Sequence, residues 1–447
     1  MEQDLTTGSV FKRIVYFSLP YLLSYFLQTL YGMADLFITG QFYGVDTITA
    51  VSNGSQIMHM MTVIIVGLAM GTTVTIGHSV GAKCMEQAEK IIGNTITLFM
   101  GIAVVFTVIL VVLVKPIVVL IATPQEAVAG TSIYLLICFI GIPFITAYNI
   151  ISSIFRGLGD SKSPMYFIGI ACVMNIALDY LFMGAFHMGA AGAALGTVCA
   201  QTFSVLVALW VIRRRKTGIS LKKSDFKIER AVIGQVLKIG IPVALQDGFI
   251  QVAFMIITVI ANSRGVSDAA AVGVVEKVIS ALFIVPSSML ATVSALSAQN
   301  LGAGKEKRAT DTLHYATVIT TIYGMIVAVL IQFIAENVVG IFTSDTTVVT
   351  MGSAYIRSYI WDCIFAGIHF SFSGYFAACG KSYIGFLHNI ISITFVRVPG
   401  SYLASKYFTD TLYPMGLAAP AGSLVSVAIC VTAFILLKRK SRVAQTA

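Results

Sequence analysis

The stretch Cys172-Val173-Met174-Asn175-Ile176-Ala177-Leu178-Asp179-Tyr180-Leu181-Phe182-Met183 decides how the chain is read. It lies inside an apolar segment, roughly 163–184, that is long enough to span a bilayer as a helix of about 20 residues. Asn175 and Asp179 are four residues apart, so they share one helix face. An aspartate at the centre of a span costs about 3 kcal/mol on insertion scales. By default such a residue marks a pathway or a site.

The rest of the chain fits that reading. Of its 447 residues, 57% are hydrophobic and only 11% charged, against about 25% charged in soluble domains. Soluble and nucleic-acid-binding classes drop out, even though the net charge is +9. That charge reads as topology, because basic residues collect in cytoplasmic loops. The seven cysteines sit mostly inside apolar runs and form no CxxC, so neither a disulfide framework nor a zinc site is expected. Lys12-Arg13 precede an apolar segment with no small-residue cleavage site, which is expected to remain as the first span.

Twelve apolar segments can be marked, at about 14–38, 48–72, 91–113, 130–154, 163–184, 190–212, 232–260, 269–293, 312–335, 350–376, 383–405 and 414–437. Backbone groups in lipid are satisfied only in helices or closed barrels, and segments this long and continuous are helices. One set of loops holds most of the basic residues, and the other little beyond Lys115, Arg264 and Lys406. Both termini are therefore expected on the cytoplasmic side of the plasma membrane. The basic run 213–230 reads as a solvated cytoplasmic linker between an N-terminal six-helix lobe, 1–212, and a C-terminal six-helix lobe with a short basic tail, 231–447.

The two lobes read as parallel repeats. Gly81, Tyr134 and Gly159 recur as Gly302, Tyr355 and Gly380 at a spacing of 221, and Pro20 recurs as Pro242. Such a plan is common in transporters and puts a substrate path between the halves.

Few ionisable residues fall inside the spans: Asp35, Asp179, Asp247, Glu276, Lys277, Asp362, His369 and Arg397. At about 1.5 Å rise per residue, Asp179 lies about 7 Å below the outer end of its helix and Thr197 about 10 Å below that of the next. Asp35, Asp179 and Thr197 thus fall at similar depth, with Asn175 one turn deeper. These hard oxygen ligands suit Na⁺, or a carboxyl pair that takes up a proton because desolvated like charges resist joint ionisation. The repeat maps Asp179 to Gly400 or Ser401 and Asp35 near Ile257, so the scaffold does not require these carboxylates. A second polar set, Asp247, Glu276, Asp362 and Arg397, reads either as structural pairing or as a gating or substrate site. Met58, Met61 and Met289 read as packing or as the lining of an adaptable substrate cavity. Pro20, Pro143, Pro242, Pro286 and Pro399 are candidate kinks, Pro20 above all because it shares a helix with Asp35.

The duplicated layout resembles the multidrug and toxic compound extrusion (MATE) transporters over about residues 10–437. The resemblance is carried by Met33-Ala34-Asp35 with Gly40, His78-Ser79-Val80-Gly81-Ala82-Lys83, Phe155-Arg156-Gly157-Leu158-Gly159-Asp160 and Gln299-Asn300-Leu301-Gly302-Ala303. It implies an all-α integral membrane protein with twelve transmembrane helices in a V-shaped pair of lobes. It also implies a secondary active antiporter that exports organic, often cationic and aromatic compounds in exchange for Na⁺ or H⁺ by alternating access.

Within the family the DinF-like branch has the closest pattern: a helix-1 Asp, an Asn-x-x-x-Asp and a helix-6 Thr, here Asp35, Asn175, Asp179 and Thr197. That branch also bends helix 1 at a proline, here Pro20. A lipid-linked precursor or polysaccharide flippase of the same wider superfamily is the alternative. No HExxH, GxSxG or Walker-type loop points to an enzyme. No cofactor and no nucleic-acid partner are expected. The expected partners are small organic molecules and membrane lipid, and the chain is expected to act as a monomer.

Overall fold

The computed structural model describes residues 4–214 and 220–446, with side chains to residue 439. Arg215 and Lys216 of the basic run, and the side chains of Lys440 and Arg442 of the tail, lie outside what is described. Among the described residues the chain is helical throughout, with no strand.

The helices are α1 (Val10–Phe42), α2 (Val45–Gly81), α3 (Met85–Leu120), α4 (Gln125–Ile140), α5 (Ile142–Gly157), α6 (Lys162–Asp179) and α7 (Gly189–Arg214). There follow α8 (Arg230–Asn262), α9 (Val266–Leu282), α10 (Ile284–Gly302), α11 (Glu306–Gly340), α12 (Thr346–Tyr359) and α13 (Asp362–Ala378). The series ends with α14 (Tyr383–Ser392), α15 (Val398–Tyr407) and α16 (Tyr413–Thr446). Two π-helical segments, Tyr180–Ala185 after α6 and Ile393–Arg397 between α14 and α15, interrupt the regular ladder.

Each of the twelve apolar segments lies in one helix or in a helix broken within the span. By length and composition eight helices are apolar enough to cross a membrane, and nine when α4 and α5, bent by 52°, count as one span. The protein is a multi-pass membrane protein. The breaks follow from backbone chemistry. Gly141 separates α4 from α5 with Pro143 directly behind it, and Pro286 follows the break at Phe283. Pro399 opens α15 behind the second π-helix. A proline lacks the N–H that would continue the ladder and is tolerated in a first turn. Pro20 and Pro242, by contrast, lie inside helices that run on unbroken.

The outer faces show where lipid sits. Val104, Val105, Val108 and Val112 on α3 are exposed, and so are Met325, Ile326, Val329 and Phe333 on α11, each 221 residues later. Water would not leave such stripes bare, whereas acyl chains cover them.

The chain divides into two compact units. Unit 1 holds the residues up to Thr7, Tyr16–Ala244 and Ala298–Gly304; unit 2 holds Gly8–Val15, Leu245–Ser297 and Lys305–Ala447. Unit 1 has an apolar core around Ile38, Val51, Tyr134, Phe139 and Met183, with further clusters around Ile76 and Phe167. Unit 2 has one around Ile257, Val275, Tyr355, Tyr359 and Met415.

Several motif residues turn out to serve packing. In unit 1, a Cβ on Gly81 would stand 2.0 Å from the Gln299 carbonyl oxygen, and one on Gly302 would stand 2.1 Å from that of His78. Only glycine permits so close an approach. Asp160 caps α6 by accepting from the Lys162 and Ser163 N–H groups at 2.9 and 3.0 Å, and the Arg156 guanidinium stacks 4.2 Å from the Tyr21 ring centre. In unit 2, Arg264 bonds Asp268 at 2.6 Å and donates to the carbonyls of Ser405, Phe408 and Thr409, so it pins a loop.

The later part of the basic run is docked along α3. Glu89 accepts from the Ser220 N–H at 2.6 Å, and Thr97 donates to the Phe226 carbonyl at 3.0 Å. Asn94 donates to the Asp225 carbonyl at 3.1 Å and accepts from the Glu229 N–H at 2.7 Å. Residues 89, 93 and 97 recur at the helical period and form one face, on which Gly93 leaves room for the Asp225 backbone. Asn94→Ala should release this clasp at a cost of about 2 kcal/mol, the scale of two lost buried hydrogen bonds. Tryptic cleavage at Lys222, Lys223 and Lys227 should then accelerate relative to the parent, as followed on gels.

Candidate functional site: a buried carboxylate pair in unit 1

The site is assembled by three helices of unit 1. Asp35 comes from α1, Asn175 and Asp179 from α6, and Thr197 from α7. All four are buried, Asn175 and Asp179 completely. The Thr197 hydroxyl donates to Asp35 Oδ2 at 3.3 Å. The Asp35 carboxyl also lies within hydrogen-bonding reach of Asp179 and Asn175. Sequence depth-matching therefore named a set that the fold brings together.

The cluster is under-satisfied. Asp35 Oδ1, both Asp179 oxygens and both polar atoms of Asn175 lack a hydrogen bond of regular geometry. Two carboxylates face each other without a donor between them, and among the described residues neither forms an ion pair. Buried polar groups left unmade are costly, and unpaired buried charges more so. This donor set of carboxylate, amide and hydroxyl oxygens fits Na⁺, and the facing carboxyls equally fit a shared proton.

Local structure positions the pair. Asp179 is the last residue of α6, where the ladder passes into the π-helix Tyr180–Ala185, and π-turns often mark functional sites. The Tyr43 hydroxyl secures that segment by donating to the Met183 carbonyl at 3.0 Å and accepting from the Gly189 N–H at 2.9 Å. On α1, the Thr39 hydroxyl bonds back to the Asp35 carbonyl at 2.6 Å.

Sequence reasoning missed Gly196. A Cβ there would stand 2.1 Å from Asp179 Oδ1, so the bare backbone of α7 is what admits the carboxylate. The signal was present in the small-residue run Gly189-Ala190-Ala191-Gly192-Ala193-Ala194, whose face allows close helix approach. Tyr31, Tyr134 and Cys138 also lie within electrostatic reach of Asp35 and were not singled out.

The second polar set is only partly gathered, and all of it lies in unit 2. Asp362 and Arg397 line a cavity together with His369 and Asn389; its space, measured out to the open mouth, is about 410 Å³. Glu276 accepts from the Thr258 hydroxyl at 3.3 Å and lies within electrostatic reach of Arg397. Asp247 is half-buried on α8 and shares a face with Ile250 and Phe254 of the cavity wall. His388 stacks edge-on to His369 with ring centres 5.3 Å apart and is bonded to the Ser373 hydroxyl at 2.9 Å. Met58 is packed in the unit 1 core, Met289 is buried in unit 2 and Met61 is half-buried.

A duplicated set of membrane-spanning helices around an unneutralised carboxylate pair defines a membrane transporter by class. Comparison with known proteins narrows the class. The model of the MatE family matches residues 20–181 and again 242–403. The chain belongs to this family, the multidrug and toxic compound extrusion transporters, and carries its domain twice.

The chain is 30% identical over 415 residues to the probable multidrug resistance protein YpnP of Bacillus subtilis, covering 93% of each. It is 23% identical to the probable multidrug resistance protein NorM of Thermotoga maritima, covering 89% of this chain and 86% of that one. Among solved structures it matches one described as the outward-facing conformation of a multidrug resistance MATE family transporter of the MOP superfamily. That match has a TM-score of 0.90 at 21% identity and covers 99% of each chain. At that identity the likeness bears on fold. Members of the family are transporters, not enzymes, and need no cofactor.

Gly196→Ala should displace the Asp179 carboxylate and lower efflux at least about tenfold, since shifts near 1 Å in a working site have effects of that size or larger. Purified yield and helical content should match the parent. Efflux at parental rates would show that the carboxylate tolerates the added methyl group.

Proposed function

We propose that the protein is a secondary active multidrug efflux antiporter of the cell membrane. In this reading it exports organic, often cationic and aromatic compounds in exchange for Na⁺ or H⁺, and the exchange runs through Asp35, Asn175, Asp179 and Thr197. The observation that carries the reading is the approach of two buried carboxyls that form no ion pair among the described residues. Such a pair gains a large part of its stability from whatever positive charge enters. The names of the relatives support the substrate class, and the match of the four residues to the DinF-like pattern supports the branch.

The cycle follows from linkage. A ligand moves a two-state equilibrium only by its differential affinity for the two states. Ion entry from outside neutralises the pair, favours bending of α1 near Pro20 and weakens drug binding. Drug loading from the cytoplasm favours the state with free carboxyls. The distribution of Lys and Arg supports placing both termini in the cytoplasm. The basic run 213–230, as the longest polar interruption in the sequence, supports a division into two six-helix lobes there.

Proteoliposomes loaded with ethidium and given separate Na⁺ and pH gradients test this. Asp35→Asn and Asp179→Asn should each abolish gradient-driven efflux while leaving the protein folded. The gradient that drives the parent identifies the ion. Near-parental efflux in both variants would overturn the assignment, and movement of a lipid-linked sugar without ion exchange would favour a flippase.

A further inference from the structure

The first unit's Asn175 has a charged counterpart in the second. The two family matches, 20–181 and 242–403, are offset by 222 residues at both ends. Between those ends the offset is 221: the left-handed turns at Lys83 and Gly304 are 221 apart, as are those at Gly159 and Gly380. The π-helix Ile393–Arg397 accounts for the return to 222 at the later end, because an i→i+5 turn takes up one residue more than an α-turn. From its end onward the offset is 222 again, and Arg397 corresponds to Asn175. Asp35 and Asp179 correspond to Ile257 and Ser401, while Tyr134 corresponds to Tyr355 at 221.

The two clusters therefore share a position and a tyrosine but differ in charge. In unit 1 two carboxylates meet with no fixed cation. In unit 2 a fixed cation occupies the Asn position, and its carboxylates, Asp362 and Glu276, come from elsewhere. Arg397 is about nine-tenths buried. Its guanidinium donates to the Tyr359 hydroxyl and lies 5.0 and 5.5 Å from the ring centres of Phe254 and Tyr359. Asp362 and Glu276 are within electrostatic reach, yet neither forms an ion pair with it among the described residues. One positive charge thus rests against a hydroxyl and two ring faces, with two carboxylates within electrostatic reach.

We propose that Arg397 is a tethered counter-ion, which supplies unit 2 permanently with the charge that unit 1 draws from solution, so that the chain couples to its ion through unit 1 alone. This rests on reading the Asp35–Asp179 cluster as the coupling site. It explains why a duplicated protein has one empty-handed carboxylate pair and not two.

The test is charge rescue at position 397, read as melting temperature of the full chain in detergent. Arg397→Met keeps an unbranched stem and removes the charge. It should melt about 5 °C or more below the parent, the scale expected when a buried charge network loses its cation. Millimolar guanidinium chloride should recover most of that loss, whereas urea, of similar shape but neutral, should not. Adding Asp362→Asn to Arg397→Met should also recover it, and Arg397→Lys should stay close to the parent. A parental melting curve for Arg397→Met overturns the proposal. So does a loss that neither guanidinium nor Asp362→Asn recovers, which would assign Arg397 to packing.

The two readings fail separately. Rescue at 397 together with ion-driven efflux in the Asp35→Asn and Asp179→Asn proteins would remove the coupling-site reading and its restriction to unit 1. Loss of coupling in those proteins without rescue at 397 would remove the counter-ion alone.

Discussion

Two carboxyl groups brought together between buried helices are a costly contact, and the packing of unit 1 holds it. Asp35 and Asp179 belong to helices separated by more than a hundred residues, so their meeting depends on the packing of α1, α6 and α7. The contact stands because α7 presents bare backbone at Gly196 and because Thr197 supplies one hydroxyl. An arrangement so short of donors is poised: small in extent, unsatisfied, and sensitive to any cation that reaches it.

Duplication makes this discomfort informative. The two sequence repeats share the left-handed turns at Lys83/Gly304 and Gly159/Gly380, the same lipid-facing stripes and the same break in the fourth span, at Gly141 and again before Asp362. Geometry of that kind is what a shared fold requires. Charge does not follow it, since the carboxylates of unit 1 have Ile257 and Ser401 as counterparts. A scaffold that repeats while its ionisable residues do not has assigned different electrostatic tasks to its two units.

Much of this was legible in the sequence. Apolar run length located the helical segments, though not their internal breaks, because a bilayer fixes that length within narrow bounds. Depth counting from the helix ends united Asp35, Asn175, Asp179 and Thr197, since rise per residue is nearly constant in a helix. What was not legible depends on contacts between helices. Gly196 carries no chemistry of its own and matters only for what it lets approach. The docking of Asp225 on α3 depends on Asn94, a residue that reads as an ordinary helix position. The breaks at Gly141 and Phe283 pass unseen in the hydropathy of their runs as segments, and only the prolines just behind them, Pro143 and Pro286, signal them.

One consequence concerns how the chain enters its membrane. α3 is the most apolar of the spans, with a window hydropathy of 3.0 of which only 11% is buried. It would partition into lipid unaided. α1, which carries Asp35, is less apolar, and the stretch from α12 to α15, which includes Asp362 and Arg397, is broken into helices too short to cross alone. Helices of that kind are retained by the neighbours they pack against and not by lipid alone. The segments that carry Asp35, Asp362 and Arg397 are therefore weaker inserters than α3, and they depend on companions already in place.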